Sequence, residues 1–167
     1  QAMAGIDSLD KPAVEYHYVN NPTGDGMVTV FPNGVKMVLH RGGVWTGSCG
    51  MKFEGPEGWV AVADGYTKPD VSSPALLGDF RKIVGDYIAR TQRPMSHMRD
   101  YLNCIKSRRL TVANPLVMHR SMTTVHAANI CMWLKRDMHF DYQKEEFIND
   151  VEANRLRSRG MREPWTV

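Results

Sequence analysis

Cysteine is scarce in this 167-residue sequence, and its three positions, Cys49, Cys104 and Cys131, contain no Cys-x-x-Cys pair. Three isolated cysteines make neither a disulfide framework nor a zinc site, so we expect neither. Cys104 and Cys131 fall on apolar helical stretches, where a free cysteine is typical of a small buried residue. No run of about 18 or more apolar residues occurs, and the sequence therefore predicts no membrane-spanning helix.

The sequence also lacks a large excess of either positive or negative charge. The 21 lysines and arginines outnumber the 18 aspartates and glutamates by only three, and they are spread along the chain. So small an excess argues against nucleic acid or a membrane surface as a partner. The densest basic run, Lys106-Ser107-Arg108-Arg109, falls where a helix is predicted to end, and cations there suit the helix dipole.

A glycine-rich dinucleotide turn is missing as well. Nothing of the form Gly-x-Gly-x-x-Gly occurs, and Gly42-Gly43 is an isolated pair between predicted strands. Because that turn cradles the pyrophosphate of NAD or NADP, we expect neither cofactor to bind this chain alone.

The sequence does contain strand periodicity in its first half and helical periodicity in its second. Residues 13–62 alternate in polarity and predict the strands of a main antiparallel sheet, with a tight turn at Asn33-Gly34. Residues 63–95 are predicted as a loop region with one short helix near 80–88. Residues 96–167 are predicted as helices, a short hairpin and a tail. This order predicts an α+β fold in a single domain over 1–167, with 1–12 as the remnant of an upstream helix and a linker.

Capping residues place the helices of the second half. Ser96, Asn114 and Asp150 are predicted N-caps, and Pro115 suits the first turn after Asn114. The helix from 115 to about 134 has few polar residues, so we expect it to be largely buried, with its methionines filling the core. A hairpin is predicted over 138–148, and its neighbouring acidic residues Glu145 and Glu146 are expected to be solvated.

Trp45, Arg41 and Lys52 form one candidate group for substrate binding. A flat indole at a sheet edge stacks on the apolar face of a sugar, and Arg41 or Lys52 would donate hydrogen bonds to its hydroxyls. Tryptophan and arginine also anchor subunit interfaces, and Trp45 packed into the core is a third interpretation. The sequence leaves these alternatives open.

A second candidate group lies on the long helix. His119 and Arg120 are placed to meet a sugar hydroxyl or a carboxylate, although we favour a role in fixing the helix against the preceding loop. His126 and Asn129 are interpreted as a buried polar pair. His119 and His126, seven residues apart, share a helix face roughly but are too far apart to hold one metal ion, and we expect no metal site.

Two stretches of the chain resemble a known family. The first is MKFEGPEGWVAV at 51–62, which resembles a strand–turn–strand segment of that family. The second comprises HMRDYLNCIKSR at 97–108, HRS at 119–121, EANRL at 152–156 and REPW at 162–165. In this order they resemble the C-terminal domain of the bacterial branch of the glucose–fructose oxidoreductase / inositol dehydrogenase (Gfo/Idh/MocA) family.

The resemblance implies an open-faced, mainly antiparallel sheet packed by helices, with the N-terminal Rossmann domain lying outside this chain. It implies that the parent protein transfers a hydride between NAD or NADP and a carbohydrate or polyol. This chain would contribute the substrate pocket and a subunit interface, forming a homo-oligomer through the sheet. The family's catalytic lysine in a Glu-Lys-Pro segment has no counterpart here, since Asp10-Lys11-Pro12 precedes a sheet strand. The family's Asp/His pair is expected just upstream of Gln1. No catalytic residue is therefore assigned, and the chain alone is expected to be inactive.

Two alternatives to this interpretation are kept. One is a stand-alone sheet domain that acts only in binding or oligomerisation. The other is part of an NAD-dependent glycosidase of the same family. Localisation is open as well: free cysteines and the lack of a signal pattern suit the cytoplasm, whereas the helix-end character of residues 1–5 suggests a longer protein and leaves the periplasm open.

Overall fold

The computed structural model describes residues 12–20, 26–39, 50–63 and 69–164. These ranges contain strands and helices in a mixed α+β arrangement, as the sequence predicted. In chain order the elements are β1 (Glu15–Val19), β2 (Gly26–Val30), β3 (Lys36–Leu39), β4 (Gly50–Gly55), β5 (Gly58–Ala63), β6 (Asp70–Val71), a 3-10 helix (Pro74–Leu76), α1 (Phe80–Thr91), α2 (His97–Ser107), α3 (Pro115–Leu134), β7 (Met138–Asp141), β8 (Glu146–Phe147) and α4 (Val151–Arg155).

The chain divides into two compact units. The first combines Gln1–Gly43 with Met118–Val167, and the second is Val44–Val117. The strands that the sequence predicted as one main sheet over 13–62 are therefore distributed over two sheets, β3-β2-β1-β7-β8 and β4-β5-β6. The physical reason is that β7, from the far end of the chain, pairs with β1, and alternation within a strand does not reveal its partner.

The sheet of the first unit is covered on one face. Tyr16 pairs with Thr29 and Tyr18 with Met27, so these side chains point to the same face. Tyr16, Thr29 and Met27 are fully buried there. The Phe140 ring packs edge-on against Tyr16 and Phe147, with centroids 6.4 Å and 5.2 Å away, a favoured aromatic geometry. The buried core consists of Ala13, Tyr16, Met27, Phe31, Ala127, Ala128, Ile130, Cys131, Met138, Phe140, Phe147 and Ala153.

The turn between β2 and β3 follows the sequence prediction. The Gly34 amide donates to the Phe31 carbonyl at 2.8 Å, and the Phe31 amide donates to Val35 at 2.9 Å. Gly34 has a φ of 83°, a conformation that glycine adopts without a Cβ penalty.

Within the described residues, helix α3 buries one of its sides. The buried residues on it are Thr124, Ala127, Ala128, Ile130 and Cys131. The expectation that α3 is largely buried is wrong: Met118 is 47% exposed, Met122 39% and Trp133 64%. Of its methionines, Met132 does pack against the core. Because α3 carries apolar residues on every side, its composition did not reveal which side packs.

The two cysteines in the described ranges are buried, as predicted. The Cys131 thiol donates to the Arg136 carbonyl at 3.1 Å. Burial raises the pKa of that thiol to about 11, so Cys131 is a protonated core residue at neutral pH.

The hairpin of β7 and β8 is tied to α4 by side chains. The Asn154 amide donates to the Phe147 carbonyl and its oxygen accepts from the Phe147 amide, both at 2.8 Å. Asp150 caps α4 as predicted, accepting from the Ala153 amide at 3.0 Å, and it also receives the guanidinium of Arg136. Ala153 is fully buried. Much of the EANRL segment is therefore explained by packing and backbone pairing.

The second unit contains the β4–β5 hairpin, whose turn depends on Gly58. Gly58 has a φ of 136°, and a Cβ there would lie 2.2 Å from the Ser72 hydroxyl. Ser72 lies close to Gly58 because it makes two hydrogen bonds to the backbone of Trp59. The Ser72 hydroxyl accepts from the Trp59 amide at 2.9 Å, and the Ser72 amide donates to the Trp59 carbonyl at 3.0 Å.

The region predicted as a loop contains more structure than expected. It holds β6, the 3-10 helix and a twelve-residue α1 over Phe80–Thr91, which is longer than the predicted 80–88. Asp79 caps α1 by accepting from the Arg81 and Lys82 amides. Apolar residues of α1 do recur at helical spacing (Ile83, Val84, Tyr87 and Ile88), but Gly85, a poor helix former, stands in the middle of the helix and the preceding segment is rich in proline, serine and glycine.

A buried carboxylate organises the chain on both sides of α2. Ser96 caps this helix as predicted. Asp100, only 3% exposed, accepts from the Arg93 guanidinium at 2.8 Å and from the Val112 amide at 2.9 Å. The Val112 hydrogen bond, together with Arg93, holds the pKa of Asp100 below its usual range. This cluster fixes the segments that enter and leave α2.

Candidate functional site

The first predicted group is only partly within the described ranges. Arg41 and Trp45 lie outside them. Lys52, on β4, forms an ion pair with Glu54 and stands 4.9 Å from the centroid of the Trp59 ring. A lysine over an indole face gains cation–π attraction, so the structure engages Lys52 within its own hairpin.

His119 and Arg120 lie on α3 in the first unit, whereas Lys52 belongs to the second. Arg120 is half-buried and His119 is exposed. The Nε2 atom of His119 lies 2.6 Å from Oε1 of Glu145, and each side chain is about half exposed. Glu145 was expected to be solvated in a hairpin turn, and it is exposed; in addition it pairs with His119 from the β7–β8 connection.

The backbone of Glu145 has a φ of 56°. Residues with a Cβ seldom adopt this conformation, which glycine would occupy without penalty. Two contacts hold it in place: the His119 pair and an acceptor role for its carbonyl toward the Arg157 guanidinium. Glu145 therefore links α3 to the segment that follows α4.

These residues line a groove in the first unit, with a volume of about 590 Å³. That size lies within the usual range for small-molecule sites. One wall is α3, and the others are the β7–β8 hairpin and the chain after α4. The lining side chains are His119, Met122, Thr123, His126, Ala127, Asn129, Ile130, Trp133, Phe140, Glu145, Phe147, Leu156, Arg157, Ser158 and Arg159.

Three lining residues recur every seven positions along α3: His119, His126 and Trp133. Two turns of helix separate successive members, so they follow one side of α3. The predicted buried pair of His126 with Asn129 is wrong, because His126 is exposed and no hydrogen bond joins the two in the described part of the chain. Both face the groove instead.

Arg157 and Arg159 enter the groove from the chain that leaves α4. The last turn of α4 is continued by hydrogen bonds from the Leu156 amide to Ala153 and from the Arg157 amide to Asn154. Asn154 is itself fixed to Phe147. The positions of Arg157 and Arg159 are thus set by the residues of the EANRL segment that face the core.

The sequence signalled part of this groove. The seven-residue spacing of His119 and His126 is visible in the sequence, and one further step of seven residues reaches Trp133. No local pattern pointed to Glu145, Arg157 or Arg159, because their convergence depends on the hairpin turn and on the path of the chain after α4.

In the described ranges, no group of three or more His, Cys, Asp or Glu side chains is arranged to hold a metal ion. None of the helices there is long and apolar enough to cross a membrane.

Comparison with protein families identifies the chain. A Gfo/Idh/MocA family model, described as "Oxidoreductase family, C-terminal alpha/beta domain", matches residues 66–167, which is more than half of the sequence. The chain belongs to this family. The match includes the segments at 97–108 and 152–156 on which the resemblance rested, and the Gfo/Idh/MocA assignment is confirmed. Searches of curated proteins and of solved structures returned no match.

Proposed function

We propose that this chain is the substrate-side domain of an NAD(P)-dependent oxidoreductase that acts on a sugar or polyol. The observation that carries the proposal is the match of residues 66–167 to the C-terminal domain of an oxidoreductase family. In such a protein the nicotinamide performs the redox chemistry, and the protein binds and orients the substrate.

The described residues do not fit a nicotinamide cofactor. Every strand pair among them is antiparallel, whereas a dinucleotide is held where a glycine-rich turn joins a parallel strand to a helix. We therefore place the cofactor on another part of the protein and assign no catalytic residue to this chain.

Substrate contact is proposed for the groove of the first unit. His119 lies at its wall with its ring oriented by Glu145, an arrangement suited to hydrogen bonding with a substrate hydroxyl or carboxylate. Arg120 neighbours it on α3. Roles in substrate binding for Arg41, Trp45 and Lys52 stay predictions, and the engagement of Lys52 with Glu54 and Trp59 weighs against it as a free donor.

A homo-oligomer formed through the first sheet is also proposed. The face opposite the core carries Val28 and Val38, which pair across β2 and β3, and Val38 is 50% exposed. Val28 is half-buried, and together the two valines form an apolar area that a second copy would cover.

The proposal is tested on the product of the whole gene. We expect the sequence upstream of Gln1 to encode a Gly-x-Gly-x-x-Gly turn and a Glu-Lys-Pro segment. The purified full product should reduce NAD or NADP with at least one member of a panel of sugars and polyols. A start codon close to Gln1, or no nicotinamide-dependent turnover across the panel, would contradict the proposal.

The NAD-dependent glycosidase is distinguished in the same assay. Such an enzyme cleaves an aryl glycoside only when NAD is present and leaves no net NADH, whereas a dehydrogenase accumulates NADH in proportion to product.

A further inference from the structure

The groove of the first unit is richer in positive than in negative charge. Its lining includes two arginines, Arg157 and Arg159, and one carboxylate, Glu145. That carboxylate is already engaged by His119. Neither arginine has a carboxylate partner in the described part of the chain. The groove therefore presents guanidinium groups that an anion would neutralise.

A large aromatic side chain lies at the same groove. Trp133 is 64% exposed, although tryptophan is highly buried on average. Its position two turns after His126 places it on the groove side of α3. An exposed indole offers a flat apolar surface with a polar edge, which suits a ligand that has both an apolar face and hydrogen-bonding groups.

Two polar side chains stand between the indole and His119. His126 and Asn129 are three residues apart on α3, line the groove, and have no hydrogen-bond partner in the described part of the chain. Asn129 is half-buried, and a shielded amide without a partner is costly. Both residues can donate to and accept from hydroxyl groups.

From this combination we infer that the groove binds an anionic sugar. The Trp133 ring stacks on the apolar face of the pyranose, His126 and Asn129 bind its hydroxyls, and Arg159 with Arg157 binds its carboxylate or phosphate. The inference deepens the proposed function, on which it rests, by naming the charge class of the substrate and residues that contact it. The concave shape and the volume of about 590 Å³ favour a small molecule over a macromolecular surface.

The experiment is an NMR titration of the 167-residue chain. Indole and imidazole resonances of ¹⁵N-labelled protein are followed while glucuronate, glucose 6-phosphate or neutral glucose is added, and the Trp133 signal is assigned with Trp133→Phe. We expect saturable shifts of the Trp133 and His126 signals with at least one anionic sugar. Whichever of glucuronate and glucose 6-phosphate binds more tightly shows whether the arginines bind a carboxylate or a phosphate.

Two matched arginine variants distinguish direct binding of the anion by a groove arginine from a general effect of the positive charge of the protein. Arg159→Gln should weaken anionic binding about tenfold or more, because a charge-assisted hydrogen bond is lost. Arg155→Gln removes an equal charge from α4 at an exposed position that does not line the groove, and it should leave the affinity unchanged. Trp133→Leu should weaken all ring-containing ligands alike.

Equal affinity for glucose and for both anions would overturn the inference. So would equal losses in Arg159→Gln and Arg155→Gln, or the absence of saturable shifts with every sugar in protein whose spectrum shows a folded chain. These outcomes are independent of the gene-product assay: turnover of a sugar without binding at the groove rejects the inference alone. Binding of an anionic sugar without nicotinamide-dependent turnover rejects the proposed oxidoreductase alone.

Discussion

At the scale of single residues, the segments on which the resemblance rested hold positions with demanding geometry. Gly58 combines a φ of 136° with a close neighbour in Ser72, and Asn154 makes two hydrogen bonds to one backbone residue. Neither feature requires a ligand. The pattern in these segments therefore reports the fold first, and Arg157 and Arg159, which line the groove, follow one of them in sequence.

Replacing Gly58 with alanine tests the turn of the β4–β5 hairpin. Gly58→Ala should destabilise the protein by about 1–3 kcal/mol, because the left-handed backbone and the Ser72 contact both penalise a Cβ. Gly55→Ala in the same hairpin is the matched control, since a Cβ there meets only the Gly58 carbonyl, at 4.0 Å. Urea unfolding followed by tryptophan fluorescence measures both; equal losses would contradict the account.

Asn154→Asp tests the link between α4 and β8. The aspartate keeps the acceptor for the Phe147 amide but loses the donor to the Phe147 carbonyl, and it sets a negative charge against that oxygen. We expect a loss of about 1–3 kcal/mol. Arg155→Gln, the next residue on α4 and exposed, should change stability by less than about 0.5 kcal/mol. Thermal unfolding followed by circular dichroism measures the stability of both variants. Unchanged stability of Asn154→Asp would show that the hydrogen bonds between Asn154 and Phe147 do not stabilise the protein.

At the scale of elements, the sequence predicted what local interactions determine. The helix starts at Ser96, Asn114 and Asp150 were confirmed, because an N-cap acts on amides two or three residues away. The pairing of β1 with β7 and the packed side of α3 were not predicted, because both depend on residues more than a hundred positions apart. The same holds for the groove. The spacing of His119 and His126 on α3 can be read from the sequence, but the approach of Arg157 and Arg159 to the groove cannot.

The β1–β7 junction carries a pH-sensitive contact. His17 Nδ1 lies 2.8 Å from Asp137 Oδ2, and Glu15 lies 3.2 Å from the other ring nitrogen. The hydrogen bond to Asp137, followed by that to Glu15, raises the pKa of His17 above 6.5, and the same His17 contact lowers the pKa of Asp137 below 3.8. The stabilisation by His17 is present below its unfolded pKa and is lost as pH rises through its raised folded pKa; that by Asp137 is lost as pH falls through its lowered pKa.

His17→Gln should therefore lower the melting temperature at pH 5.5 and have a smaller effect at pH 9. His126→Gln is the control, because His126 is exposed and has no partner in the described residues; it should show no such pH dependence. Melting curves of the three proteins at both pH values provide the measurement. An equal effect of His17→Gln at the two pH values would show that the contact with Asp137 does not depend on charge.

At the scale of the whole molecule, the face of the first sheet opposite the core bears on the proposed assembly. Val38 is 50% exposed and faces Val28 across the strand pair, so a second copy laid on this face would bury apolar area that is otherwise hydrated. A charge placed there would have to be desolvated on association and would oppose it.

We expect the wild-type chain to sediment as a dimer or larger at tens of micromolar, and Val38→Glu to sediment as a monomer. Val151→Glu introduces the same charge at a valine that is 70% exposed on α4 and should leave the assembly intact. A monomeric mass for the wild type, or dissociation by Val151→Glu as well, would rule out the sheet face as the subunit interface.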